Sequence, residues 1–330
     1  MGQLSRALAA SRSYRSLLGL DVATYSPHAL HAPGRTYLET NCYADIIIEL
    51  LHARGDEPLA ALSFLVRSDF EGDQWTFFKP PPEDLEALFG IDIHEMQPYR
   101  PLPLQIAEQI ERGRTIIVEL DSFHLPDTAA TSYGREHVKS SAIPEAIDPQ
   151  AGYLRYFHNA GLYELEGDDY TAVFGLGDER PPEVLPPYTE LVRFDSGPRL
   201  AGLELKQAAG ELLARHLRHR PAGNPFERFG EQLTVELPML LEGDLEGYHA
   251  YAFATVRMVG AAFELAASHV EWLLADEASA ATSAMSEIVD GCKMLGFRLA
   301  RRRAFDHDPI IASLADSWQR AMTALEGVVE

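Results

Sequence analysis

The stretch Glu39-Thr-Asn-Cys-Tyr-Ala-Asp45 runs straight into Ile46-Ile-Ile-Glu-Leu-Leu51. Polar residues give way to an apolar run at this point, Thr40 or Asn41 can cap a helix, and Gly55 can stop it. The pattern predicts a helix over 42–53 with Cys42 in its first turn. A thiol placed there meets the positive end of the helix dipole, which favours the thiolate. Such a thiol is a nucleophile if a histidine can reach it; otherwise Cys42 is a small residue filling a core.

Downstream of Cys42 the same half of the chain offers His124, His137 and His158 as bases and Asp121, Asp127 and Asp148 as acids. Thr115-Ile-Ile-Val-Glu-Leu-Asp121 is β-branched and reads as a strand. A polar loop over 122–136 carries His124, Asp127 and Tyr133. His137-Val-Lys-Ser-Ser-Ala-Ile143 and Glu145-Ala-Ile-Asp-Pro149 then read as strand segments, the second ending in an Asp-Pro turn. If those segments are adjacent and antiparallel, His137 and Asp148 meet, giving a thiol, a base and an orienting carboxylate.

Asn41-Cys42-Tyr-Ala, His137-Val-Lys and Ile147-Asp148-Pro149-Gln-Ala-Gly152 together resemble the papain-like cysteine enzymes. More narrowly, they resemble the bacteriocin-leader-processing peptidases and the butirosin-biosynthesis type of acyltransferase. Glu119-Leu-Asp-Ser-Phe-His-Leu-Pro126 is closer to the acyltransferase branch. The whole chain also resembles an uncharacterised bacterial domain-of-unknown-function family found among biosynthetic genes.

The resemblance implies an α+β fold, a papain-like domain followed by an α-helical bundle. It implies a catalytic triad of Cys42, His137 and Asp148, with Asp121, His124, Tyr133 and His158 on the substrate side. The leader peptidases carry a glutamine shortly before the cysteine, and 36–41 has none. The Cys42 backbone N–H with Asn41 or Thr40 is the expected oxyanion support, and the missing glutamine favours acyl transfer over peptide hydrolysis. The implied donor is an acyl or aminoacyl carrier-protein thioester on a phosphopantetheine arm, with a small amine or hydroxyl compound as acceptor and no bound cofactor. A cysteine peptidase, a thioester hydrolase and a non-catalytic binding protein are the alternatives.

The remainder of the 330 residues changes character near 195, after a proline-rich stretch, so 1–195 is expected to be the catalytic domain and 196–330 a helical bundle. Apolar residues recur at three and four over 203–218, 225–241, 247–274, 280–303 and 309–328. With 50 acidic and 28 basic residues the net charge is −22, which argues against nucleic acid or an anionic membrane as partner. Arg298, Arg301, Arg302 and Arg303 form a basic cluster suited to an acidic carrier protein. Arg215–Arg220 is a second basic run. Two cysteines make no disulfide framework, no residues show metal-ligand spacing, and no apolar run of membrane-spanning length stands out, so the expected location is cytoplasmic.

Overall fold

The computed structural model describes residues 15–38, 41–176 and 186–329. They fall into two compact units that are discontinuous in sequence. The first comprises 15–27, Asp45–Gly55 and the described part of Gly90–Gly197; the second comprises the described part of His28–Ala44, Asp56–Phe89 and Pro198 onward.

The first unit is built on β3 (Thr115–Asp121), the strand that its β-branched residues announce. With β1 (Arg15–Ser16), β2 (Asp92–Met96), β4 (Lys139–Asp148), β5 (Tyr153–His158), β6 (Gly161–Glu166) and β7 (Thr189–Arg193) it forms a seven-stranded sheet. The order is β2-β7-β3-β4-β5-β6, with β1 also on β4, and every pairing is antiparallel. Ile116, Val118 and Leu120 alternate onto one face, where Leu102, Ile106 and Ile110 of α3 (Leu102–Glu111) and Tyr170, Val173 and Phe174 complete a core.

The two strand segments expected over 137–149 are one strand. Pro144 has no N–H for the ladder, and the register shifts between Pro144 and Ala146 as a bulge instead of breaking. The fully buried Glu145 in that bulge is satisfied on both oxygens. It accepts from Ser16 Oγ (2.6 Å), Leu18 N (2.9 Å) and Gly19 N (3.0 Å), and from Arg155 Nε (2.6 Å). A buried carboxylate so paired does not incur the penalty of an isolated charge.

The helix over 42–53 forms as expected: α1 is Cys42–Ala53. The division between the units falls inside its first turn, with Cys42–Ala44 in the second unit. The second unit is helical, with α2 (Pro82–Phe89), α5 (Gly202–Leu217), α6 (Pro225–Glu242), α7 (Leu245–Ala252), α8 (Met258–Leu274), α9 (Ser279–Ala300) and α10 (Asp308–Val329). A short helix, α4 (Asp168–Val173), belongs to the first unit. A π-helical turn, Phe253–Arg257, joins α7 to α8, so the predicted helix over 247–274 runs on without a break.

The 3-10 helix Pro58–Arg67, buried over Ala60–Val66, packs against α5 and α8. His269 Nδ1 bonds the Leu59 carbonyl at 2.7 Å, and buried Asp84 holds His216 Nε2 at 2.6 Å together with Arg215. Arg215 is therefore a structural partner of α2. The run Leu245–Ala300 is long and apolar enough, by length and composition, to cross a membrane, contrary to the sequence expectation. More than half of its apolar window, 56%, is buried inside the protein, as for a core helix.

Candidate active site

His137 stands just before β4, and Asp121 ends β3 opposite Lys139. The antiparallel pairing therefore brings a histidine and a carboxylate together across sixteen residues of chain. His137 Nδ1 lies 2.6 Å from Asp121 Oδ2, and Asp121 Oδ1 accepts the Phe123 backbone N–H at 3.0 Å. One carboxylate thus caps a 3-10 turn and orients an imidazole. The Phe123 ring lies flat on His137, with centroids 4.4 Å apart and planes within 8°. With Nδ1 committed and the ring held from one side, Nε2 is the nitrogen left for proton transfer.

This dyad opens on a cavity of about 500 Å³ lined by Asp121, His124, His137, Lys139, Glu119 and Tyr188, with an apolar floor that includes Leu120 and Val173. Lys139 Nζ donates to Glu119 Oε1 at 2.8 Å. Tyr188 donates to Glu190 Oε1 at 3.0 Å; burial first, and then Glu190, Glu95 and Glu119, push its phenol up to about 12. It therefore stays a proton donor at neutral pH. A cleft with a fixed base, one lysine and several carboxylates can bind a polar small molecule and take a proton from it.

Cys42 opens α1 and is half-buried. Asn41 builds that helix start: its Oδ1 accepts the N–H groups of Tyr43 and Ala44, both at 3.1 Å, and its Nδ2 donates to the Phe78 carbonyl at 2.7 Å. The amide is buried and engaged at both ends, so Asn41 supports the loop and is not the oxyanion donor that the sequence reading allowed. Thr40 lies outside the described residues. Lys79 Nζ sits 4.1 Å from the centroid of the Tyr43 ring.

Three further expectations are corrected. Asp148 does not meet His137, because the two residues stand at opposite ends of one continuous strand. Its Oδ1 instead accepts from Gln150 N and Ala151 N, both at 3.0 Å, and closes the β4–β5 turn. His158 is fully buried, with Nδ1 2.5 Å from Asp127 Oδ2 and Nε2 2.6 Å from Ser140 Oγ, while Tyr156 OH reaches Asp127 Oδ1 at 2.5 Å. This chain fastens the 122–136 loop to β4 and β5, and His158 does not line the cavity. Tyr133 is committed to Asp169 Oδ2 (2.8 Å) and does not line the cavity. Asp121 and His124 do line it.

Of the basic cluster, Arg298, Arg301 and Arg303 are exposed, and Arg301 lies over Phe297 at 4.3 Å. Arg302 is half-buried, its guanidinium bonding the Gly243 carbonyl, so it joins α9 to the α6–α7 turn.

Two domain models cover the chain: the DUF1839 N-terminal domain matches residues 26–194 and the DUF1839 C-terminal domain residues 203–327. The chain belongs to the DUF1839 family. That bears out the expected likeness to a family of unknown function, and the two DUF1839 models meet close to the sequence boundary at 195. No curated protein matches the chain. Within this DUF1839 chain, sequence reasoning missed Glu119, Lys139 and Tyr188 as cavity residues and Phe123 as the ring stacked on His137. Alternation along β3 was a signal that 119 and 121 share one face; Lys139 joins them only through the β3–β4 register.

Proposed function

We propose that this protein is a cysteine-dependent acyltransferase of papain-like type, in which Cys42 is the nucleophile and His137, oriented by Asp121, is the base. The observation that carries the proposal is the His137–Asp121 dyad, a base with one nitrogen fixed at 2.6 Å and the other left for chemistry beside a cavity. The Cys42 thiol gives its proton to His137, the thiolate attacks an acyl thioester carbonyl, the C–S bond to the donor breaks, His137 passes its proton to the departing donor thiol, and the acyl group is held as a thioester on Sγ. His137 then takes the proton of an amine or hydroxyl acceptor as that group attacks, and Cys42 is released.

The donor we assign is an acyl or aminoacyl carrier protein, whose acidic surface suits the exposed Arg298, Arg301 and Arg303. The phosphopantetheine arm belongs to that donor, and the setting is a cytoplasmic biosynthetic pathway. Incubation with acyl-carrier and acyl-pantetheine thioesters, followed by intact-mass spectrometry, tests the reading. An adduct on Cys42 that accumulates without acceptor and is lost in Cys42→Ala is expected. Absence of any adduct, with Cys42 alkylated by iodoacetamide only at the pH of an ordinary thiol, would leave a binding protein.

A further inference from the structure

Residues 35–37, a few positions ahead of Cys42, are fastened to α8 by side chains that the chemistry itself does not use. Glu264 accepts the Thr36 N–H on Oε1 at 2.8 Å and the Tyr37 N–H on Oε2 at 2.9 Å. Arg35 stands beside the same carboxylate, Nη2 to Oε2 at 3.8 Å, and its Nη1 donates to Ser268 Oγ at 3.1 Å. One turn earlier on α8, Gly260 leaves room for Tyr37: a Cβ there would meet the ring at 2.4 Å. The main-chain amides of two consecutive residues and one ring are thus held four to five residues before Asn41. Asn41 in turn caps the helix that presents the thiol. All of these residues lie in the helical unit.

Nothing in local propensity demands this arrangement. Thr36 is exposed, and a surface loop normally leaves its N–H groups to water. Two amides gathered by one carboxylate, itself flanked by an arginine, make a fixed anchorage of charge-assisted hydrogen bonds. Catalytic geometry tolerates errors of a fraction of an ångström, so an anchorage next to a nucleophile has a use beyond stability.

We propose that Glu264 and Gly260 are positioning residues for Cys42, through which the helical unit sets the reactivity of the thiol. The inference rests on Cys42 being the nucleophile. Glu264→Gln weakens the hold on two amides, and Gly260→Ala displaces Tyr37 without touching any charge.

The experiment is iodoacetamide labelling of the full chain across a range of pH, followed by mass spectrometry at both cysteines. Cys292 serves as an internal monitor of unfolding in Glu264→Gln, since it is buried and burial pushes its thiol up, and a thermal melt is added for Gly260→Ala, where the displaced Tyr37 neighbours Cys292. In both variants Cys42 should label roughly three- to tenfold more slowly at neutral pH, with its profile moved towards that of an ordinary thiol and Cys292 still protected. Acyl-adduct formation should fall in kcat with KM kept. Unchanged Cys42 profiles in both variants, beside an activated wild-type thiol, would overturn the positioning role and leave the proposed function standing. Labelling that rises together at Cys42 and Cys292 would show a merely structural role and overturn it as well. A wild-type Cys42 that behaves as an ordinary thiol would remove the proposed function itself, and the positioning role with it.

Discussion

Exchanging the two aspartates that compete for the orienting role separates the geometry from the sequence motif. Asp121→Asn keeps the shape and the cap on the Phe123 N–H, but it removes the charge beside His137 Nδ1. A hydrogen bond to a charged partner is worth about 1.5–3 kcal/mol when shielded. His137 is 70% exposed and Asp121 36%, so water and salt screen the pair and about 0.2–1 kcal/mol is the appropriate range. At about 1.4 kcal/mol per tenfold, acyl transfer should fall roughly 1.4- to 5-fold, well short of the loss at a fully buried triad. Asp148→Ala removes two exposed turn hydrogen bonds at 3.0 Å, costs about 1 kcal/mol of stability and leaves the rate alone. Single-turnover rates and thermal melts on both variants, run in parallel, read the two effects. If Asp148→Ala loses the rate while Asp121→Asn keeps it, the dyad is not the base and the argument built on it fails.

Three further outcomes follow from the same structure. His158→Ala should lower stability by about 2–4 kcal/mol in urea titrations, because it strands buried Asp127 and Ser140. Arg298→Glu with Arg301→Glu should weaken turnover of a carrier-bound thioester and flatten its salt dependence, while a pantetheine thioester reacts as before; equal loss with both donors would remove the docking idea. Burial holds His269 at about 4, below its ordinary 6.5, with the Leu59 carbonyl opposing and His216 adding to the shift. Its folded form is neutral where the unfolded chain already binds a proton. Stability is therefore unaffected above about 6.5 and falls as pH drops from there to about 4, by at most about 3 kcal/mol. His269→Phe should abolish that slope in pH-dependent melts; an unchanged slope would assign it elsewhere.

Local chemistry made α1, β3 and the helices of the second half legible. Apolar spacing and the Asn41 cap marked Cys42–Ala53, and β-branching marked Thr115–Asp121. Pro144 was the point of failure. It lies between the two segments read over 137–143 and 145–149, and taking them as separate strands brought Asp148 near His137, whereas the bulge carries one strand through and sends Asp148 to the far end. The carboxylate that does meet His137 was visible as the end of β3. Its partner could be known only from the β3–β4 register, which is a tertiary fact. The same holds for His158, whose burial depends on Asp127 arriving from a loop, and for Arg302, indistinguishable in sequence from its exposed neighbours.

The helical unit takes its 3-10 helix, its α2 and the anchored segment before Cys42 from the first ninety residues of the chain. The two halves are therefore not interchangeable cassettes. A gene cut or fused at the natural-looking joint near 195 would separate α5 and α8 from the apolar surface of Ala60–Val66 that packs on them. Aggregation of the isolated carboxy-terminal half would follow from that exposed surface. The unit that reads as a separate domain is completed by residues encoded between β1 and β2.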